Sequence, residues 1–128
     1  MGFLLDTHVF LWLLADDPQL SPAVRAAALN RNHTLLLSVV SVVELAIKVK
    51  TGKLKLTDPI EEYVREGSAR FHILELVLRR PHALKLADLP LHHKDPFDRM
   101  LVAQAAFEGL TLLSQDPQMQ KYGVPIVS

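Results

Sequence analysis

The chain has 128 residues, no cysteine, and 14 acidic side chains against 14 lysines and arginines. Without cysteine there is no thiolate zinc site, cysteine nucleophile or disulfide scaffold, a composition that fits a reducing cytoplasm. The balanced charge excludes a grip on nucleic acid through the overall field, so a polyanionic substrate has to be held by a local basic patch or by metal ions. The length fits one domain, 1–128, whose 49% hydrophobic content is enough for a sizeable core. The apolar opening, residues 2–15, has no basic leader and is interrupted by Asp6 and His8, so it reads as part of the fold rather than as a signal peptide. Asp6 also stands where a myristoylation signal wants Ser or Thr. No apolar run reaches membrane-spanning length, and a soluble protein is expected.

In chain order, residues 3–5 form a short apolar run ending at Asp6, a buried strand. Residues 8–14 carry bulky apolar side chains into a short helix that Asp16, Asp17 and Pro18 break. Ser21-Pro22 is an N-cap followed by proline at the first helical position, opening a helix to Leu29. A turn over 30–33 leads to a second strand, 34–37. Residues 38–50 pull both ways: their valines favour a strand, their length and the closing Glu-Leu-Ala-Ile-Lys-Val-Lys a buried helix. The reading taken is a helix capped near Ser38 or Ser41 and ended by Gly52. Residues 59–69 are an amphipathic helix with Ile60, Tyr63 and Val64 on one face, 72–76 a third strand, and 80–87 a short helix stopped before Pro90. Residues 96–108 form a helix ended by Gly109, 111–113 a fourth strand running toward Asp116, and 125–127 a faint fifth. Alternating strands and helices specify an α/β sandwich: a mostly parallel sheet of four or five strands, with helices on both faces.

In such sheets ligands bind beyond the carboxyl ends of the strands. Asp6 lies at that end of strand one, and Asp116 follows strand four. Glu44 is the lone acid in an apolar helix, and Asp95 and Asp98 bracket the start of the helix that feeds strand four. Convergent carboxylates repel and shift one another's pKa unless a cation sits among them. Magnesium and manganese are hard cations that take oxygen ligands. A site of this kind can activate water and neutralise charge on a phosphodiester. The chain has no GxxxxGK[ST] phosphate loop and no G-x-S-x-G elbow.

Four segments carry a resemblance to a known family: Leu4-Leu5-Asp6-Thr7-His8-Val9, the Ser38 to Leu45 segment, His93-Lys94-Asp95-Pro96-Phe97-Asp98-Arg99 with the helix that follows, and Leu112-Leu113-Ser114-Gln115-Asp116. Together, in this order and at this chain length, they resemble the motifs of the PIN domain, and most closely bacterial and archaeal PIN proteins of the VapC toxin type. The Asp-Pro-Phe-Asp-Arg run marks one subgroup of these. The resemblance implies a PIN-like three-layer sandwich and a Mg2+- or Mn2+-dependent ribonuclease. It further implies RNA as substrate, a homodimer, and neutralisation by a small antitoxin. By motif matching, Asp6, Glu44, Asp98 and Asp116 are the acidic quartet; Asp6, Asp98 and Asp116 are the metal ligands, and Glu44 completes the shell or orients the attacking water. Ser114 matches the Ser/Thr before the last acid, and Asp95 and Arg99 are accessory candidates.

Each residue also has a plain structural reading. Asp-Pro is a good helix start by itself, and the chain has four: Asp17-Pro18, Asp58-Pro59, Asp95-Pro96 and Asp116-Pro117. Asp95 therefore reads as a cap first. For Asp98, in a first helical turn where any acid gains from the dipole, spacing alone leaves both readings open. Glu44 should either pair with Lys48 four residues on or face a cleft, and the cleft is the reading taken. His92-His93 read as solvent-facing, Phe10 and Trp12 as core or dimer interface. Lys94 and Arg99 are candidates to meet phosphates; Arg79-Arg80 and the Lys48, Lys50, Lys53, Lys55 series are basic stretches whose default is a solvated face. Two competing functions use the same acids: a non-catalytic interaction module that binds a cation or a partner protein, and a receiver-type phosphoacceptor. The second needs an aspartate after a middle strand and a lysine after the last strand; strand three ends at Glu75-Leu76 and no lysine follows Pro125.

Overall fold

The computed structural model describes residues 1–128. Its strands are β1 Gly2–Leu5, β2 Thr34–Ser38, β3 Ile73–Leu76, β4 Thr111–Leu113 and β5 Ile126–Val127. Its helices are α1 Thr7–Ala15, α2 Pro22–Leu29, α3 Val39–Lys50, α4 Ile60–Arg70, α5 Arg80–Lys85, α6 Pro96–Glu108 and α7 Pro117–Gln120. All four strand pairs are parallel, in the order β3-β2-β1-β4-β5. The chain winds outward from β1 through β2 to β3, then returns to place β4 and β5 on the other side. The crevice of such a reversal opens at the carboxyl ends of β1 and β4.

Side chains alternate between the two faces of the sheet, and the core divides accordingly. Phe3 and Leu5 of β1, Leu35 and Leu37 of β2 and Leu113 of β4 pack with Val9, Phe10 and Leu13 of α1 and Val24 and Ala28 of α2. Leu4 and Leu112 face the other way, onto Leu101, Val102 and Ala105 of α6 and Met119 of α7. The result is the expected α/β three-layer sandwich. No helix is long and apolar enough to cross a membrane.

The ambiguous segment after β2 is a helix because Ser38 turns the chain out of the sheet, its side chain accepting from the Val40 N–H at 3.0 Å. Ser38 also donates to the Gln104 side chain on α6, and Gln104 reaches the Val77 carbonyl at 3.3 Å. Buried His82 on α5 bonds Glu108 at 2.7 Å and receives the Arg79 N–H at 3.0 Å. This buried polar chain holds α3, α5 and α6 in fixed relation. Hydrogen bonds from His82 and Arg79 keep the Glu108 carboxyl below its usual range.

Several boundaries differ from the sequence reading. Asp6 itself caps α1, which begins at Thr7. His72 stands before β3 in the left-handed region, φ 55°. The helix expected over 80–87 tightens into a 3-10 turn at Leu86–Asp88. Pro117–Gln120 adds one helical turn that the apolar pattern is too short to announce. Of the Asp-Pro pairs, Asp95 and Asp116 cap helices through their side chains, whereas α4 starts beyond Pro59 without a side-chain cap.

α4 lies close against α1 at Gly67, where a Cβ would overlap Leu14 Cδ2 and stand 2.8 Å from its Cγ. Gly67→Ala is therefore expected to lower stability by about 1 kcal/mol in denaturant titration, overpacking outweighing the helix propensity that alanine brings. Leu14→Ala in the same chain removes the clash and should recover most of that loss.

Candidate active site

The register pairs Leu5 with Leu113, so the next residues of β1 and β4, Asp6 and Ser114, leave the sheet side by side. Asp6 is 3% exposed. One carboxylate oxygen accepts the His8 N–H at 2.9 Å and the other the Ser114 hydroxyl. Ser114, fully buried, in turn accepts the Asp116 N–H at 3.2 Å. One hydroxyl thus joins the acid after β1 to the acid after β4. Asp116 caps α7, accepting the Gln118 N–H at 2.9 Å. From the neighbouring helix, Thr7 donates to Ser41 at 2.8 Å and ties the start of α1 to α3, the helix that carries Glu44.

Glu44 is 5% exposed and does both things weighed for it. Its Oε2 meets Lys48 Nζ at 2.8 Å, and it lines a cleft of about 240 Å³ between α3 and α6. Asp95 is the cap of α6, its Oδ1 accepting from Phe97 and Asp98 N–H groups at 2.9 and 3.0 Å. Asp98 occupies the first turn of that helix and meets His93 Nε2 at 3.2 Å. Burial pushes the Asp98 carboxyl up to about 6, aided by the charges of Asp95, Asp6 and Asp116 and opposed by the His93 hydrogen bond. Asp6 is raised as well, by burial first and by the charge of Glu44, against the hydrogen bonds from Ser114 and His8. Asp98 on α6 thus feels the acids at the ends of β1 and β4, and Asp6 at the end of β1 feels Glu44 on α3.

His93 corrects the sequence reading. It does not face solvent: it is held at 2.7 Å by the Tyr122 hydroxyl and at 3.2 Å by Asp98. Tyr122 was not singled out at all. Arg99, expected to meet phosphates, spends one guanidinium nitrogen on the Pro90 carbonyl at 2.8 Å and on Tyr122 at 3.2 Å. It therefore braces the loop that presents His93, while Lys94 stays exposed. These partners are distant in sequence and carry no local signal. His93→Ala is expected to raise the Asp98 titration midpoint above that of the wild type, read by carboxyl-carbon NMR, because the hydrogen bond that favours the charged form is lost. Phe10 is core, and Trp12 packs at its margin.

No three His, Cys, Asp or Glu side chains stand close enough to form a ready cation cage. The donor set nonetheless suits a hard divalent ion: every candidate ligand is a carboxylate oxygen, and two of them are destabilised in the charged form by their neighbours. Magnesium takes one or two protein carboxylates and keeps water for its other positions, so a tight triad is not required.

The PIN domain profile matches residues 3–125. The chain belongs to the PIN domain family. Ribonuclease VapC22 of Mycobacterium tuberculosis (strain ATCC 25618 / H37Rv) is 26% identical to this PIN protein over 123 residues, 95% of this chain and 92% of that one. Among solved structures, VapBC2 from Rickettsia felis, bound to a DNA fragment from its promoter, superposes with a TM-score of 0.74 at 14% identity, covering 100% of this chain and 98% of that one. VapBC-1 from nontypeable Haemophilus influenzae gives 0.68 at 17% identity, covering 100% and 98%. VapBC-5 from Mycobacterium tuberculosis, a member of the VapBC family of toxin-antitoxin systems, gives 0.62 at 20%, covering 98% and 97%. These likenesses are to the PIN fold over its whole length.

Proposed function

We propose that this PIN protein is a divalent-metal-dependent endoribonuclease, the toxin of a toxin–antitoxin pair. The observation that supports the reading is electrostatic: the Asp98 carboxyl is raised by burial and by the charges of Asp95, Asp6 and Asp116, and Asp6, at the switch point of the sheet, is raised by burial and by the charge of Glu44. Family membership and the VapC22 likeness favour RNA as substrate over other phosphodiesters. The VapBC structures favour a small antitoxin partner, and the family favours a homodimer at work in the cytoplasm.

Asp6, Asp98 and Asp116 would hold Mg2+ or Mn2+. A bound ion of this kind supplies charge neutralisation on the phosphodiester and lowers the pKa of water. The chain's own groups do the rest. Ser114 fixes the Asp6 carboxylate and the Asp116 backbone at once, so the acids from two strands keep their spacing. Lys48 takes Glu44 Oε2, leaving Oε1 without a protein donor and available to accept a proton from the attacking water. The water oxygen forms the new P–O bond, one ribose P–O bond breaks, and the leaving oxygen takes a proton from solvent water while Glu44 returns its own to solvent. Asp95 holds the first turn of α6, which fixes the backbone of Asp98.

The test is cleavage of labelled RNA by purified protein with Mg2+ or Mn2+ against a chelator control. Divalent-dependent fragments are expected. Saturable Mn2+ binding without cleavage of any RNA would remove the catalytic reading and favour the interaction module that uses the same acids.

A further inference from the structure

The loop that leads into α6 and the turn that follows α7 meet at Asp98, and the hydrogen bonds between them all point the same way. Asp98 presents Oδ2 to His93 Nε2 at 3.2 Å, and no protein donor takes its Oδ1. A charged carboxylate only accepts, so a neutral His93 that bonds it carries its proton on Nε2. Nδ1 is then a bare lone pair that calls for a donor, and the Tyr122 hydroxyl stands 2.7 Å away. The phenol oxygen in turn receives Arg99 Nη1 at 3.2 Å, and a guanidinium has donors only, so the phenol proton is directed to His93. Arg99 is fixed by the Pro90 carbonyl at 2.8 Å. Donation therefore runs from Arg99 through Tyr122 and His93 to Asp98.

The far end of this chain is what a cation would feel. The Asp95 cap fixes the Asp98 backbone but leaves its side chain free to turn. The His93 contact removes that freedom, occupies Oδ2 and leaves Oδ1 open. Water competes poorly for it, because the His93 and Asp98 side chains are only 14% and 15% exposed. Outer hydrogen bonds of this kind orient ligating carboxylates, and losing one weakens metal binding. Tyr122 is delivered by the turn between α7 and β5, and β5 is held in place by its pairing with β4. Its ring packs against the α6 side of the core, where phenylalanine would pack equally; only the hydroxyl serves the chain.

We propose that Tyr122 is a positioning residue of the carboxylate site: by fixing His93 in its Nε2–H form it holds the Asp98 carboxylate with Oδ1 open to a divalent cation. The proposal rests on the metal-dependent ribonuclease reading, and its test separates the two. Calorimetric Mn2+ binding at pH 7.5 is expected to weaken about tenfold in Tyr122→Phe. In a His93→Ala background the same change is expected to cost no further affinity, because both residues act through one contact. Imidazole nitrogen NMR of the metal-free wild type is expected to show His93 protonated at Nε2 and bare at Nδ1. A role confined to packing would lower the thermal midpoint of Tyr122→Phe and leave its Mn2+ affinity as it is. A neutral His93 protonated at Nδ1, unchanged Mn2+ affinity in Tyr122→Phe, or the same loss repeated in the His93→Ala background overturns the chain, even when the wild type cleaves RNA. The expected losses of affinity, without cleavage of any RNA by the wild type, uphold the chain and overturn the ribonuclease reading. A wild type that binds no Mn2+ overturns both.

Discussion

Asp6→Asn is expected to lower divalent-dependent RNA cleavage by on the order of 10² to 10³-fold, the loss that follows removal of one preorganised electrostatic group, while the metal-free protein remains at least as stable as the wild type at pH 7.5. The two outcomes come from the same carboxylate. Asp6 is buried and its charge is disfavoured by that burial and by Glu44. Asparagine has the same shape, its carbonyl can still accept the His8 N–H, and the Ser114 hydroxyl can rotate to receive an N–H in place of donating. The fold therefore loses a buried charge, which offsets the acceptor that the Ser114 hydroxyl proton gives up, whereas a divalent ion loses an anionic ligand. Cleavage assays with Mg2+ and Mn2+, paired with thermal unfolding in chelator and in Mn2+, check both halves. Wild-type cleavage by the variant would remove Asp6 from the site. A midpoint well below wild type would mean that Asp6 serves the fold.

The second large effect is in pH. Asp98 titrates at about 6 in the folded protein and near the ordinary value of about 4 in the unfolded chain. The folded state thus binds more protons between these values, and stability of the metal-free protein falls as pH rises through that window. Above pH 6 the whole penalty is present, on the order of 2 kcal/mol; below pH 4 it is gone. Asp98→Asn should flatten this part of the profile and raise the thermal midpoint at pH 8. With Mn2+ the slope reverses, because proton and ion compete for one carboxylate: calorimetric affinity should fall about tenfold per pH unit below 6 and level off above it. A metal-free stability profile that rises between pH 4 and 6 would contradict the burial and charge argument for Asp98.

The sequence carries most of the candidate site because the proposed acids stand where local patterns change. Asp6 ends an apolar run, Glu44 interrupts an apolar helix, and Asp116 follows the fourth run with proline behind it. Those breaks are local, and periodicity finds them. The segment after β2 illustrates the limit: valines argue for a strand, and the side-chain cap at Ser38, supported from α6 by Gln104, settles it as a helix. His93 and Tyr122 were illegible for the same reason. They lie 29 positions apart, and only the return of the chain through β4 brings the phenol to the imidazole. Lys48 and Glu44 were legible as a pair from their spacing of four, yet spacing could not say that the pair also borders a cleft.

Ser114 and the Asp6 carboxylate that it holds are 108 positions apart. Local segments of a growing chain acquire structure early, but contacts of this range wait until both partners have emerged. During translation, β1 has no β4 beside it, and Asp6 has no Ser114 to hold its carboxylate. On the ribonuclease reading proposed above, RNA cleavage by this chain is therefore expected only once β4 has been synthesised and paired with β1.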